Sequence, residues 1–204
     1  MLMTATQAAG YMIQRYDLED AASILQNEGL VLLPTDTLWS IACLADDPVA
    51  IERMRRIIPP NKVQPYEVLF NSLDMLKRYS PRLHPRLETL LVYHSRPLSI
   101  LTDAVEGLNH PLITAHGQMS ARIANDSYCR NLIRLVKKPL LITSAHFPKS
   151  PYPSHFGRVR SDIIEGVDYV AKYRIKYSRL NINQEKPTVL VKINAQKEFE
   201  FLRE

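Results

Sequence analysis

What most limits the fold of this chain is the alternation of short apolar runs, bounded by Gly, Pro or Asp, with stretches whose apolar residues recur at helical spacing. Leu30 to Leu33 is such a run, set between Gly29 and Pro34, and it reads as a buried strand. Before it, Leu18, Ala21, Ala22 and Leu25 share one face of a helix over 17–28, with acids in its first turn and Gly29 past its end. After it, Asp47-Pro48 is a cap followed by proline at the first helical position. Ile51, Met54 and Ile58 then share a face until Pro59-Pro60 stops that helix. The same reasoning predicts strands over 39–44, 66–70, 98–102, 120–123, 139–143, 167–171, 188–193 and 198–202, and helices over 72–79, 86–94, 126–136 and 160–165. Helices and strands in alternation, with strands clustered toward the carboxyl end, predict an α/β fold: a single-domain twisted mixed sheet with flanking helices.

Size agrees with one domain. A chain of 204 residues that is 46% hydrophobic can bury one sizeable core. Fourteen prolines against six glycines favour rigid connections, and no biased stretch is long enough to link two domains. The expected boundaries are an N-terminal extension over 1–14 and one domain over 15–204. A net charge of +5 attracts polyanions, although a modest excess of Lys and Arg also serves solubility. Cys43 and Cys129 lack ligand-like spacing, which argues against a zinc site or a disulfide framework and for two small buried residues. No apolar run approaches a membrane span, and Met1 to Gln14 lacks the charged start and apolar core of a secretion leader. The expectation is a cytoplasmic protein with no membrane partner and no metal held by its own side chains.

Three strand ends carry polar groups. Leu33 is followed by Pro34-Thr35-Asp36-Thr37-Leu38-Trp39-Ser40, and further segments are Ser120-Ala121-Arg122-Ile123 and Thr143-Ser144-Ala145-His146. Hydroxyls and a guanidinium at strand ends suit recognition of a carboxylate or phosphate at the rim of an open sheet. Each also has a purely structural reading: Thr and Asp favour turns, and a lone arginine on a strand usually marks a solvated face. His146 titrates near neutrality and could act as a base, but no Ser-His-Asp or metal-ligand spacing surrounds it, which favours a structural histidine.

In order and spacing these segments, together with Lys186-Pro187-Thr188-Val189-Leu190-Val191, resemble the YrdC-like family over roughly residues 15–203. Pro34 to Trp39 is similar to the family's PTDTVYG-type loop, Ser120 to Ile123 to its arginine-bearing strand, and Thr143 to His146 to its TSAN-type loop. The resemblance implies synthesis of threonylcarbamoyl-AMP from threonine, bicarbonate and ATP with release of pyrophosphate, a step in tRNA threonylcarbamoyladenosine modification. ATP would be a substrate, with Mg²⁺ on its phosphates. The resemblance assigns substrate and nucleotide contacts to Thr35, Thr37 and Lys62 in the first half of the chain, and to Arg122, Ser144, His146 and Thr188 in the second.

The departures bear on catalysis. Where the family has a basic K-x-R segment, this chain aligned without gaps has Ile58 and Pro60. Losing cations that stabilise charge on a transferring phosphate typically costs several kcal/mol of transition-state stabilisation. Arg55 and Arg56 lie one turn earlier and are candidate substitutes. Ser40 replaces a family glycine, His146 an asparagine, and Pro148-Lys149 a Ser-Gly pair. Separately, Lys172, Arg174 and Lys176 would share one face of an extended segment, a stripe able to track the phosphates of tRNA or double-stranded RNA, or simply a charged edge that resists aggregation. Two readings stay open: a synthase with impaired catalysis that binds nucleotide and RNA, or a non-catalytic RNA- or ligand-binding module on the same scaffold.

Overall fold

The structure, a computed structural model, describes residues 5–60, 66–103, 106–108, 110–111, 113, 117–172 and 187–203, with side chains from residue 16 onward. In chain order the elements are α1 (Ala5–Gln26), β1 (Val31–Pro34), β2 (Trp39–Leu44), α2 (Pro48–Ile57), β3 (Glu67–Phe70), α3 (Leu73–Tyr79), α4 (Pro85–Tyr93) and β4 (Leu98–Asp103). Then follow β5 (Gln118–Ile123), α5 (Ser127–Val136), β6 (Leu140–Ser144), α6 (Ser161–Glu165), β7 (Tyr169–Val170), β8 (Val189–Ile193) and β9 (Phe199–Arg203).

Among the described residues the strands form one nine-stranded sheet in the order β7-β1-β2-β6-β3-β5-β4-β8-β9. The pairs β1/β7, β3/β5 and β4/β8 are parallel and the other neighbours antiparallel, so the predicted mixed sheet is present. Helices flank it: α1 packs on α5 and touches β1 and β2, α2 lies on β2, and α3 lies on β3 and β5. Leu32, Ile41, Leu69, Leu132 and Leu141 are wholly buried between these layers.

Local chemistry sets most boundaries. Asp47 accepts hydrogen bonds from Val49 N and Ala50 N at 3.0 Å, and Pro48 begins α2. Ser72 caps α3 and Asp126 caps α5 in the same way. The helix expected over 17–28 is the last part of a longer one that starts at Ala5, so the backbone of the expected extension is helical from that residue onward. Its end also differs in detail. Glu28, not Gly29, takes the left-handed conformation with φ +59°, while a Cβ on Gly29 would lie 2.6 Å from Ile24 O, the atom that accepts Gly29 N. Glycine is required there by contact with the preceding turn.

Among the described residues no helix is long and apolar enough to cross a membrane. Cys43 and Cys129 are both buried, and burial raises both thiols well above their ordinary pKa, which leaves them poor nucleophiles. Replacing Asp47 by Ala removes the acceptor for two orphan amides of α2. A loss of about 1 kcal/mol is expected, read as a lower urea midpoint at unchanged slope, with Asp47→Asn recovering most of it.

Candidate nucleotide and carboxylate cleft

Register builds the site. In paired strands, residues directly opposite each other point to the same face. Ser40 lies opposite Ser144, Ile142 opposite Glu67, and Leu69 opposite Arg122, which in turn faces Ser99. With a period of two along each strand, Ser40, Ser144, Glu67, Arg122 and Ser99 therefore share one face of the sheet. They form a polar row across β2, β6, β3, β5 and β4. Four of these, Ser40, Glu67, Ser99 and Arg122, are buried. Above the row opens a cleft of about 490 Å³, whose walls include Thr37, Arg122, Ser144, His146, Lys149, Thr188 and Arg203.

Arg122 is the centre of this arrangement and is 2% exposed. The structural alternative of a solvated face does not hold: the adjoining strands β3 and β4 and the β1–β2 loop enclose the guanidinium. Burial opposes its charge, but Asp36, Glu67 and Asp126 more than offset that, and its pKa is raised. Nη1 donates to Thr37 Oγ1 at 3.0 Å, and Nη2 lies 3.4 Å from Asp36 Oδ1. The second contact is close enough for an ion pair but is not aligned as a hydrogen bond, so Nε and Nη2 have no hydrogen-bond partner, and neither do the Asp36 oxygens. Arg122 also lines the cleft, and a guanidinium with unused donors there is the kind of group that suits a carboxylate or phosphate.

The β1–β2 loop folds on itself to hold Thr37. Thr35 Oγ1 accepts from Thr37 N and Leu38 N at 3.2 Å and donates to Leu38 O at 2.8 Å. Thr35 is thereby spent inside the turn and does not line the cleft; it positions Thr37, which does. On β6, Ser144 Oγ lies 2.9 Å from His146 Nδ1, and the imidazole meets the Tyr152 ring edge-on at 5.1 Å. Burial lowers the pKa of His146, so the ring is neutral near pH 7. At the far wall Thr188 Oγ1 bonds Ser99 Oγ at 2.6 Å, and Arg203 Nη2 reaches both Thr188 Oγ1 at 2.6 Å and Glu67 Oε1 at 2.9 Å. Sequence reasoning missed Glu67 and Arg203. The first had a signal, a carboxylate inside an otherwise apolar strand; the second, near the end of an exposed strand, had none.

Thr37, Arg122, Ser144, His146 and Thr188 thus come together on one cleft, and Lys62, Arg174 and Lys176 lie outside the described residues. Lys172 is exposed, but its Nζ lies 3.4 Å from Asp20 and 5.5 Å from the centre of the Tyr169 ring. Ile58 is wholly buried and its carbonyl accepts from Tyr66 OH at 2.7 Å, so this position belongs to the core. Neither Arg55 nor Arg56 lines the cleft, and Arg55 pairs with Glu52 at 2.7 Å. Lys149 stands at φ +68° where the resembled pattern has glycine, and it brings a cation to the wall at the cost of a strained backbone. Glu67 is committed to Arg203, and among the described residues no three His, Cys, Asp or Glu side chains are grouped to hold a metal ion. The described side chains do not fit a protein-held Mg²⁺.

A nine-stranded mixed sheet with a buried arginine and hydroxyl-bearing strand ends around one cleft defines the class of α/β domain. The chain belongs to the Sua5/YciO/YrdC family: the family model, described as "Telomere recombination", matches residues 23–204. It is 27% identical over 129 residues to the threonylcarbamoyl-AMP synthase of Mus musculus, a match covering 63% of this chain and 46% of that protein. The chain thus spans about half the length of the curated relatives it matches. In fold it is similar to E. coli YciO, with a TM-score of 0.75 at 19% identity over 94% of this chain and 89% of the other. It is also similar to P. abyssi Sua5 solved with L-threonine, with a TM-score of 0.71 at 19% identity over 86% and 50% of the two chains.

The neutral His146 gives a pH test. Between its lowered folded pKa and its ordinary value of about 6.5, the unfolded chain binds the extra proton, so stability falls as pH falls through that window. Urea unfolding at about pH 7 and about pH 5 should show a larger drop for the wild type than for His146→Asn; parallel drops would mean the ring is not held neutral.

Proposed function

We propose that the cleft binds L-threonine together with ATP and forms threonylcarbamoyl-AMP slowly. The observation that carries this reading is the buried, charged Arg122, whose Nε and Nη2 lack hydrogen-bond partners beside the Thr37 and Ser144 hydroxyls. A guanidinium of that kind suits a carboxylate, and the hydroxyls suit orientation of the amino acid. The similarity to a Sua5 solved with L-threonine and to curated threonylcarbamoyl-AMP synthases supports the choice of substrate.

In the reaction, the threonine ammonium group gives up a proton, and the free amine adds to the bicarbonate carbon with loss of water to give the carbamate. A carbamate oxygen then attacks the α-phosphorus of ATP, the bond to the bridging oxygen breaks, and pyrophosphate leaves. The chain's part is to hold the carboxylate at Arg122, to set Thr37 through Thr35, and to offer the hydroxyl of Ser144. Slowness follows from Ile58, a core residue where the family pattern has a cation for the phosphates.

Calorimetric titration of the purified protein should give saturable threonine binding that Thr37→Val weakens about tenfold or more, since a hydrogen bond to a charged group contributes about 1.5–3 kcal/mol. With threonine, bicarbonate and ATP, pyrophosphate release should be threonine-dependent and well below that of the mouse synthase assayed alongside. Absence of threonine binding would leave the non-catalytic module, and release at the mouse enzyme's rate would remove the impairment.

A further inference from the structure

The cleft does not end at His146. A second cavity of about 340 Å³, lined by Ala145, His146, Ser150, Pro151, Arg158 and Arg160, shares His146 and Ser150 with the first. We propose that this second cavity is a phosphate subsite, in which Arg158 and Arg160 receive the β- and γ-phosphates of a nucleotide whose remainder lies in the main cleft. The inference rests on the nucleotide reading given above, and it puts the phosphate-binding cations on the β6–α6 connection, opposite in sequence to the end of α2.

The connection holds both guanidinium groups in place. Phe156 packs its ring on Trp39 at 5.2 Å, Trp39 N donates to Pro153 O at 2.9 Å, and Val159 is buried between the two arginines. Arg158 Nη1 donates to Ser154 Oγ at 3.2 Å. Arg160 is braced on two sides: Nε and Nη2 reach the Asp162 carboxylate at 3.1 and 2.8 Å, and the guanidinium lies 4.9 Å from the centre of the Phe147 ring. Planar guanidinium groups of this kind match phosphate oxygens bidentately. Asp162 offsets part of the charge of Arg160. That pair is solvent-exposed and therefore weak, so a phosphate carrying more charge than a carboxylate competes for the same guanidinium. Lys149, on the wall of the main cleft, adds a further cation beside the shared Ser150. His146, at the junction, is neutral near pH 7 and does not repel or attract the chain of phosphates at that pH.

The position also fits the chemistry. A nucleotide with its α-phosphorus beside Ser144 would reach the second cavity with its leaving pyrophosphate, because the two cavities adjoin at His146 and Ser150. Cations there hold the leaving group without having to stand at residues 58 and 60.

The test is competition binding at fixed ionic strength with AMP, ATP, inorganic tripolyphosphate and a single-stranded RNA oligonucleotide, for the wild type and for Arg158→Ala/Arg160→Ala and Arg158→Gln/Arg160→Gln. The wild type should bind ATP roughly tenfold or more tightly than AMP, as expected for charge-assisted contacts. Both double variants should bring ATP to the level of AMP with AMP affinity unchanged, which also shows that the cleft is folded. Equal affinity of the wild type for AMP and ATP, or an ATP preference that survives both variants, overturns the subsite. Weakened RNA binding with the ATP preference intact overturns it too, and makes the two arginines a nucleic-acid surface. If neither AMP nor ATP binds while tripolyphosphate binds and both variants abolish that binding, the anion subsite stands and the nucleotide reading of the main cleft fails.

Discussion

The site depends on one charge held inside the sheet. A guanidinium at a strand centre with almost no solvent contact is tolerated only when carboxylates surround it, and Asp36, Glu67 and Asp126 do so from three different parts of the chain. Each of those carboxylates has a second task. Asp36 sits in the turn that sets Thr37, Asp126 caps α5 through Cys129 N at 2.7 Å, and Glu67 ties β3 to Arg203 of β9. The charge of Arg122 thereby couples the loop after β1, the start of α5 and the last strand. Removing it would leave buried carboxylates uncompensated, a change that typically costs about 3–5 kcal/mol. Asp126 already carries part of that burden, since burial and then Asp36 raise its pKa.

The rest of the cleft follows from how the sheet is paired. Polar side chains in strands normally point to water, yet here the row from Ser40 to Ser99 lies under the cleft and is mostly buried. The hydroxyls find one another or a backbone carbonyl: Ser99 with Thr188, Ser40 with Leu38 O, Ser144 with His146. A floor that is both polar and largely satisfied is rigid, and it leaves donors over on β5, at Arg122 and at Ser120 Oγ on the same face. Ile58 is taken up by the core just after α2, and the β6–α6 connection carries Arg158 and Arg160 on a cavity that adjoins the main cleft.

Much of the fold was legible from pattern. Asp47-Pro48, Ser72 and Asp126 are local signals that act within one helical turn, so the starts of α2, α3 and α5 followed from side chains next to the backbone they cap. The runs 30–33, 39–44 and 139–143 are apolar because both faces of those central strands are covered, and they too were plain. The amino-terminal extent of α1 was less legible, because the segment before residue 17 has no cap of that kind.

What the sequence determined by itself was the set of elements, the loop chemistry from Thr35 to Ser40, and the family pattern with its departures, because each is a matter of neighbours along the chain. Tertiary structure decided which of the polar residues meet. Ser144, Arg122 and Thr188 are far apart in sequence, and only the pairing of β6 with β3, β3 with β5 and β4 with β8 sets them around one space. The same pairing buried Arg122 at the centre of the site and drew in Glu67 and Arg203, while Thr35 was spent on its own turn. A one-residue shift in register would have sent that row to the other face, and no local signal in the sequence carries the register of strands that are distant along the chain.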